Sequence, residues 1–212
     1  MVGEPAARPG RAVVLVGNPA APYSRGLWIA RTLVEAGYRV EIAAVAADGL
    51  PEREAGDGWE LRRYRPSGPW ARLAGPSGGA RSDPGGRARR DVGWPRRLIR
   101  RLVNLAAALR RWVLWPHTVR GWWATLDRQL EPADVYHACG SLTVAAALRA
   151  RGRAPQGPNG TRAVVIYDAI DDVFESNNVL DMPAMLRTWH ARREARWAHQ
   201  ADAVITVNEA IA

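Results

Sequence analysis

The chain has 212 residues, of which 47% are hydrophobic, and its formal net charge is +9 at pH 7. This composition excludes an intrinsically disordered chain and allows one sizeable core. No run of residues approaches the ~18 consecutive apolar positions that a membrane-spanning helix needs. The first residues show no secretory signal, and a single cysteine, Cys139, fits a reducing compartment, so we expect a cytoplasmic protein.

Alternating strand and helix patterns fill the N-terminal third. Residues 12–17 and 39–46 are predicted as buried strands, and an amphipathic helix is predicted between them over about 24–36, with Gly37 ending it. Together they form a βαβ unit with a right-handed crossover. Residues 59–65 alternate between apolar and polar side chains, which predicts an edge strand.

The middle of the chain has a different character. Residues 66–93 are rich in Gly, Pro, Ser and Arg and are predicted to be a mobile insertion. The basic, Trp-rich segment 94–130 follows, with helices predicted over 95–115 and 119–130. Residues 81–128 hold twelve Arg against three Asp, so the whole positive excess of the chain lies in this part.

The alternation then resumes and defines the fold class. We predict an α/β domain with a Rossmann-like doubly wound parallel sheet. The remaining strands are predicted over 134–138, 163–168 and 201–207. One helix is predicted over 142–150 with Ser141 as its cap, and Pro183 is placed in the first turn of another, whose apolar face comprises Met185, Leu186, Trp189 and Trp197.

Polar residues follow four of the predicted strands, and they make up the candidate site. In open α/β sheets ligands bind beyond the carboxyl ends of the strands, so we expect these side chains to border one cleft. The candidate catalytic residues are Asp171, Asp172 and His137. The candidate acceptor-binding residues are Ser24, Arg25, Gly26, Ser141 and Asp168.

Each of these residues also has a purely structural interpretation. Asp171 or Asp172 taken singly is as well explained as the cap of a following turn, and a histidine at the end of a buried strand, such as His137, is more often a satisfied core residue. The other histidines show no metal-ligand spacing, and Cys139 has no thiol or imidazole neighbour in zinc-like spacing, so we predict no metal site.

Residues 94–115 place a leucine-rich stripe between arginines, and three interpretations compete. The segment is a sheet-covering helix with a solvated face, an interfacial helix on an anionic membrane, or a nucleic-acid-binding element. We favour the membrane over nucleic acid because the stripe is aliphatic and long. The residues expected to face the inner leaflet of the plasma membrane are Arg97, Arg100, Arg101, Trp112 and Trp115.

Four segments resemble the N-terminal domain of family 4 glycosyltransferases. The first runs from VVLVGNP through YSRGLWIARTLVEAGYRVEIAA. ADVYHACGSLTVAAAL resembles the family's "DVVHAHDLLTLPAAL", and VVIYDAIDDVFES resembles "VVYDAHELFPES". RREARWAHQADAVITVNEAIA resembles the segment "ERRLARRADAVITVSEALA". Cys139 and Gly140 stand where the family has His-Asp, and Ile170 where it often has His.

The resemblance implies that residues 1–212 form the N-terminal, acceptor-binding domain of a GT-B enzyme. In that family a second Rossmann-like domain binds the nucleotide-sugar, here expected to be a UDP- or GDP-sugar. We expect that domain outside this chain, as a further domain or a partner subunit. Transfer in the family usually retains anomeric configuration and needs no bound metal, and many members act on lipid-linked or polysaccharide acceptors.

We therefore expect the acceptor-binding half of a retaining glycosyltransferase, with no cofactor bound by this domain. Two other functions stay open at this point. One is a non-catalytic half-domain that binds a glycan or lipid and needs a partner subunit. The other, which we rank last, is a basic nucleic-acid-binding protein, so no nucleic-acid partner is expected.

Overall fold

The structure is a computed structural model that describes residues 10–21, 24–68, 117–154, 161–169 and 182–206. The described residues form a seven-stranded sheet. The strands are β1 (Arg11–Val16), β2 (Arg39–Val45), β3 (Arg53–Gly56), β4 (Trp59–Tyr64), β5 (Val135–Cys139), β6 (Val164–Ala169) and β7 (Ala203–Thr206). The helices are α1 (Ser24–Glu35), α2 (residues 117–129), α3 (Ser141–Arg153) and α4 (Ala184–Ala198).

The strand order is β3-β4-β2-β1-β5-β6-β7. All neighbouring pairs are parallel except β3 with β4, which is antiparallel. Without β3, the order is that of the Rossmann fold, in which the strand order reverses between the two central strands, here β1 and β5. The predicted α/β, Rossmann-like doubly wound parallel sheet is therefore confirmed.

Helices cover both faces of the sheet and bury its apolar side chains. On one face, Ala30, Leu27 and Leu33 of α1 pack against β1, β2 and β4. On the other face, α2, α3 and α4 pack against the alternate residues of the strands, with Leu15, Tyr64 and Val165 among the most buried side chains. No helix in the described part of the chain is long and apolar enough to cross a membrane.

The predicted end of α1 agrees with the structure in detail. The amide of Gly37 donates to the carbonyl of Val34 and the amide of Tyr38 to that of Leu33, which is the pairing of a Schellman motif. Gly37 has a φ of 88°, a left-handed conformation that glycine adopts without steric penalty. The motif turns the chain directly into β2.

Two local predictions are wrong. Residues 59–65 do not form an edge strand, because β4 lies between β2 and β3 and the short, exposed β3 takes the edge. Ser141 does not cap α3, because Gly140 occupies the N-cap position without any side-chain hydrogen bond and Ser141 is the first helical residue. The predicted helix after Pro183 corresponds to α4, whose apolar face is partly exposed, since Met185 is 86% exposed and Trp189 44%.

Several predictions concern residues that the structure does not describe. The insertion predicted over 66–93 lies outside the described residues from position 69 onward, as does the helix predicted over 95–115. The proposed membrane-facing residues Arg97, Arg100, Arg101, Trp112 and Trp115 lie there too. The helix predicted over 119–130 corresponds to α2.

Candidate functional site

The candidate site lies at the carboxyl ends of β1, β5 and β6, next to the position where the strand order reverses. The loop after β1 leads into α1, and the turn after β5 leads into α3, so the two connections depart to opposite faces of the sheet. In doubly wound folds this divergence opens the crevice in which ligands bind.

Arg25 and Asp168 form the centre of the site. The Arg25 Nε donates to Asp168 Oδ2 at 2.7 Å, and its Nη2 donates to Oδ1 at 2.7 Å. This bidentate geometry is the strongest form of a guanidinium–carboxylate contact. The Asp168 side chain is only 2% exposed, whereas the Arg25 side chain is 35% exposed. The buried carboxylate therefore holds the guanidinium in place, and part of the Arg25 side chain is exposed to solvent.

His137 and Cys139 lie beside the carboxylate because of strand geometry. They are two residues apart on β5 and so point to the same face, and Cys139 is the direct partner of Asp168 in the pairing of β5 with β6. The His137 Nε2 lies 3.7 Å from Asp168 Oδ2, which is an ion-pair distance and too long for a hydrogen bond. One donor atom each from His137, Cys139 and Asp168 lie within 4.8 Å of one another.

The protonation of Asp168 follows from these neighbours. Burial alone would raise the pKa of its carboxyl, but the His137 imidazole and the Arg25 guanidinium outweigh burial and hold the pKa below its ordinary value of 3.8. Asp168 is therefore ionised at neutral pH. It serves as a fixed negative charge under Arg25 and is not a candidate proton donor.

The loop between β1 and α1 is held at several points. The amide of Val45 donates to the Asn18 carbonyl at 3.1 Å, and the Asn18 side chain accepts from the Ala20 amide at 2.8 Å. The side chain of Arg63, which is 2% exposed, donates to the Pro19 carbonyl at 2.8 Å. Ala20 has a φ of 55°, an unfavourable conformation for a residue with a Cβ. Such strain persists only where the surrounding contacts fix the backbone.

The turn between β5 and α3 closes the other side of the site. Gly140 has a φ of 91° and a ψ of 167°, a conformation open almost only to glycine. Its amide donates to the Asp168 carbonyl at 2.9 Å, and its carbonyl accepts from the Thr143 hydroxyl at 2.8 Å. The backbones of β5 and β6 are thereby tied together where Asp168 emerges. Ser141, the next residue, is 5% exposed.

The structure describes only some of the residues chosen from the sequence. It brings Arg25, His137 and Asp168 together and places Ser141 at the adjoining start of α3. Gly26 is buried in the first turn of α1. The side chain of Ser24 and the whole of Asp171 and Asp172 lie outside the described residues, so their roles stay predictions.

Sequence reasoning did not find Arg63 or the proximity of Cys139 to His137. Arg63 is one of 30 arginines, and nothing in its local sequence marks it as a loop anchor. The spacing of His137 and Cys139 on one strand did carry a signal, because residues two apart on a strand share a face. The position of Asp168 beside His137 and Cys139 depends on the pairing of β5 with β6 and is visible only in the fold.

A cavity of about 390 Å³ lies at the opposite edge of the sheet. Its lining includes Arg11, Arg39 and Trp59, the first residues of β1, β2 and β4, so it is at the amino ends of these strands. Arg11 in this lining is paired with Glu41 and Glu131. The cavity is thus distant from Arg25, and we place the candidate site at the carboxyl edge, where the reversal of strand order and the buried Asp168 coincide.

Comparisons with known proteins give a limited result. No protein-family model matches the chain, and no curated protein matches it. Among solved structures, the chain is similar to sucrose-phosphate synthase from Thermosynechococcus elongatus, at 11% identity and a TM-score of 0.44. The match covers 93% of this chain and 47% of that one, so the chain spans about half the length of that structure. A TM-score below 0.5 supports no functional argument, and the function is therefore argued from the site.

Proposed function

We propose that the chain forms the acceptor-binding domain of a GT-B glycosyltransferase resembling family 4. The observation that carries the proposal is the Arg25–Asp168 pair at the carboxyl edge of a Rossmann-type sheet. A guanidinium that is fixed by a buried carboxylate and still 35% exposed is a preorganised donor for an incoming oxygen ligand. The four sequence segments that resemble family 4 give this ligand its chemical class.

In this proposal Arg25 binds an anionic or hydroxyl-rich group of the acceptor. Arg25 lies in the first turn of α1, and the backbone amides at a helix N-terminus favour a phosphate or carboxylate. An acceptor linked to a lipid through phosphate meets this requirement, as does an acidic polysaccharide. Asp171 and Asp172, which follow Asp168 closely in sequence, are proposed to accept hydrogen bonds from acceptor hydroxyls, and one of them to assist deprotonation of the attacking hydroxyl.

His137 is more buried than its position in the sequence suggested. Its side chain is 8% exposed and its Nε2 faces Asp168, so it acts on the site through the carboxylate that holds Arg25. The nucleotide-sugar, proposed to be a UDP- or GDP-sugar, would bind a second Rossmann-like domain or a partner subunit. Retention of configuration and attachment to the inner face of the plasma membrane rest on the family resemblance and on residues 94–115.

Acceptor binding by the purified chain tests the proposal. The probes are polyprenyl-phosphate-linked sugars in detergent micelles and neutral octyl glycosides, titrated calorimetrically. We expect a phosphate-linked probe to bind, and the double variant Arg25→Gln with Asp168→Asn to bind it at least tenfold more weakly, because a charge-assisted contact contributes ~1.5–3 kcal/mol. The double variant removes both charges and leaves no buried carboxylate without a partner.

Arg31→Gln is the matched control, because Arg31 is an exposed arginine on the same helix. It is expected to bind the probe like the original chain. The double variant leaves the net charge unchanged, whereas Arg31→Gln lowers it by one. Weakening by Arg31→Gln as large as that by the double variant would show that binding does not depend on Arg25 in particular, and would contradict a site there. Binding of neutral glycosides alone, unaffected by either variant, would assign the chain to a glycan-binding function elsewhere on its surface.

A further inference from the structure

A nitrogen, a sulfur and an oxygen donor converge behind Arg25. His137 and Cys139 share one face of β5, and Asp168 lies beside Cys139 on β6. All three are buried, and one donor atom from each lies within 4.8 Å of the others. We propose that His137, Cys139 and Asp168 form a binding site for a zinc ion. This inference goes beyond the proposed function, which requires no metal.

The first argument is the His137 imidazole. Its Nε2 is buried and makes no hydrogen bond with any of the described residues. A buried polar atom without a partner costs ~1–3 kcal/mol, and native proteins contain few of them. The neutral imidazole is also among the commonest metal ligands in proteins. A metal ion at this position would supply the partner that the described protein groups do not.

The second argument is distance. Two ligands of a tetrahedral zinc ion, each about 2.0–2.2 Å from the metal, are roughly 3.4 Å apart. The His137 Nε2 and Asp168 Oδ2 are 3.7 Å apart, so this pair is already close to the required separation. The whole set, within 4.8 Å, needs side-chain adjustments of about an ångström. Adjustments of this size need only small rotations of the side chains about χ1 and leave the strands in place.

The donor set selects the class of metal. A thiolate and an imidazole favour zinc and related transition metals, whereas calcium and magnesium prefer oxygen ligands alone. These three ligands from the described residues fill three of the four positions of a tetrahedral zinc ion, which is the number of protein ligands in catalytic zinc sites. Binding requires the Cys139 thiol to lose its proton to solvent, so affinity is expected to rise with pH.

A metal ion at this site would lie close to the positively charged guanidinium of Arg25. Both oxygens of Asp168 accept hydrogen bonds from it, and its positive charge lies beside the proposed site. A carboxylate offers about four lone-pair positions, so Oδ2 can bind an ion and still accept from Arg25. Ligating carboxylates are commonly hydrogen-bonded in this way. A zinc ion with one thiolate and one carboxylate is neutral overall, which limits repulsion with the guanidinium.

Cobalt substitution tests the site without any acceptor or activity assay. The full chain is stripped with a chelator and titrated with Co²⁺, whose bond to a thiolate gives a charge-transfer absorption band. The chain has a single cysteine, so this band reports Cys139 alone. We expect a band that saturates at about one Co²⁺ per chain and is abolished when Zn²⁺ displaces the cobalt. Zn²⁺ should also raise the Tm, because binding to the native state stabilises it.

Variants separate the proposed ligands from surface histidines. Cys139→Ser should lose the band, and His137→Gln should weaken Co²⁺ binding at least tenfold, while His199→Gln, at an exposed position on the same chain, should bind like the original. Circular dichroism of each variant checks that it is folded. If Cys139→Ser does not fold, the original chain still decides the matter through its band and through zinc protection of Cys139 against alkylation.

Three results would overturn the proposal. One is the absence of a thiolate–cobalt band in the original chain. Another is zinc binding that is equal in the original chain and in His137→Gln. A third is a band that appears only when two chains associate, which size-exclusion chromatography at saturating Co²⁺ would reveal. None of these results bears on acceptor binding at Arg25, so the two proposals fail independently.

Discussion

Arg25 and Asp168 are 143 residues apart in sequence, yet one guanidinium occupies both oxygens of one carboxylate. The two residues differ in environment, because Asp168 is sealed in the sheet and Arg25 reaches the surface. The pair joins the start of α1 to the end of β6 across β5. It therefore fixes the two sides of the proposed acceptor site relative to each other.

The difference in exposure between Asp168 and Arg25 predicts that replacing each of them has an unequal effect on stability. Arg25→Gln leaves a buried carboxylate without its counter-charge and should lower the free energy of unfolding by about 3–5 kcal/mol. Asp168→Asn leaves a guanidinium that can reach water and should cost less, about 1–3 kcal/mol. Urea unfolding at pH 7 measures both, with Arg31→Gln as a control expected within ~0.5 kcal/mol of the original chain. Equal losses, or a larger loss for Asp168→Asn, would contradict the burial that the structure gives these side chains.

The turn after β5 predicts opposite effects for two glycines. Gly140→Ala should destabilise the fold by ~1–3 kcal/mol, because alanine is strained at a φ of 91° and a ψ of 167°. Gly152→Ala should stabilise it by ~0.5–1 kcal/mol, since Gly152 lies within α3 and a Cβ there would have no atom within 4 Å. Thermal unfolding of the two variants provides the comparison. A Tm for Gly140→Ala at or above that of the original chain would show that this turn is not built as described.

The anchoring role of Arg63 predicts a local effect on the β1–α1 loop. Arg63→Gln removes the donors to the carbonyls of Pro19 and Pro51, so amide hydrogen exchange in residues 17–21 should become faster. Arg39→Gln, at an exposed position in β2, should leave exchange in the loop unchanged. Unaltered exchange in Arg63→Gln, measured under conditions where the variant is folded, would show that the strained backbone at Ala20 is held by other contacts.

The acid stability of the fold should depend on Asp202. Partial burial alone would raise the pKa of this carboxyl, but a hydrogen bond from the Val165 amide and the charges of Arg151 and Arg162 hold the pKa below 3.8. A depressed pKa gives stability that is fully present above the unfolded-state value of ~3.9 and is lost as pH falls through the folded-state value.

Urea unfolding across pH tests this dependence. The difference in unfolding free energy between the original chain and Asp202→Asn should be largest near neutrality and should shrink as pH falls below 3.8. Asp48→Asn is the control, since Asp48 is 80% exposed and its contact with Arg65 is long, at 3.5 Å. A difference for Asp202→Asn that stays constant down to pH 2 would contradict the depressed pKa.

Much of the fold could be predicted from the sequence because its strands are buried on both faces. Residues 12–16 are almost fully buried, and such continuous apolar runs are typical of parallel sheets. The strand at the edge of the sheet could not be predicted in this way. The hairpin of β3 and β4 turns at Asp57-Gly58, a dipeptide that favours hairpins, but β3 is short and fully exposed and gave no apolar signal.

The partial exposure of the apolar face of α4 could not be predicted from the sequence. The arginine Arg193 lies over the rings of both Trp189 and Trp197, at 4.4 Å and 4.8 Å from their centroids. The two tryptophans thus contact a cation on their own helix, and Trp197 also packs against the core. Cation–π contacts of this kind follow the same i, i+4 spacing as core packing. The helical period therefore does not distinguish the two arrangements.

The composition of the candidate site was partly foreseen. Arg25, His137 and Asp168 were all chosen because each follows or ends a strand, and parallel strands share one carboxyl edge. The sequence did not indicate that Asp168 is buried and that its carboxylate holds Arg25 in place. That relationship depends on how β5 and β6 pair and on where α1 packs, which are tertiary properties.

The central claim is that the exposed face of Arg25 receives the acceptor. The most direct measurement is the nuclear magnetic resonance signal of the Arg25 Nη–H groups, assigned by its loss in Arg25→Lys and followed as a polyprenyl-phosphate-linked sugar is added to the unmodified chain. The account predicts that this signal shifts and saturates at the same concentration as binding measured by calorimetry. A signal that does not move while the probe binds would contradict it.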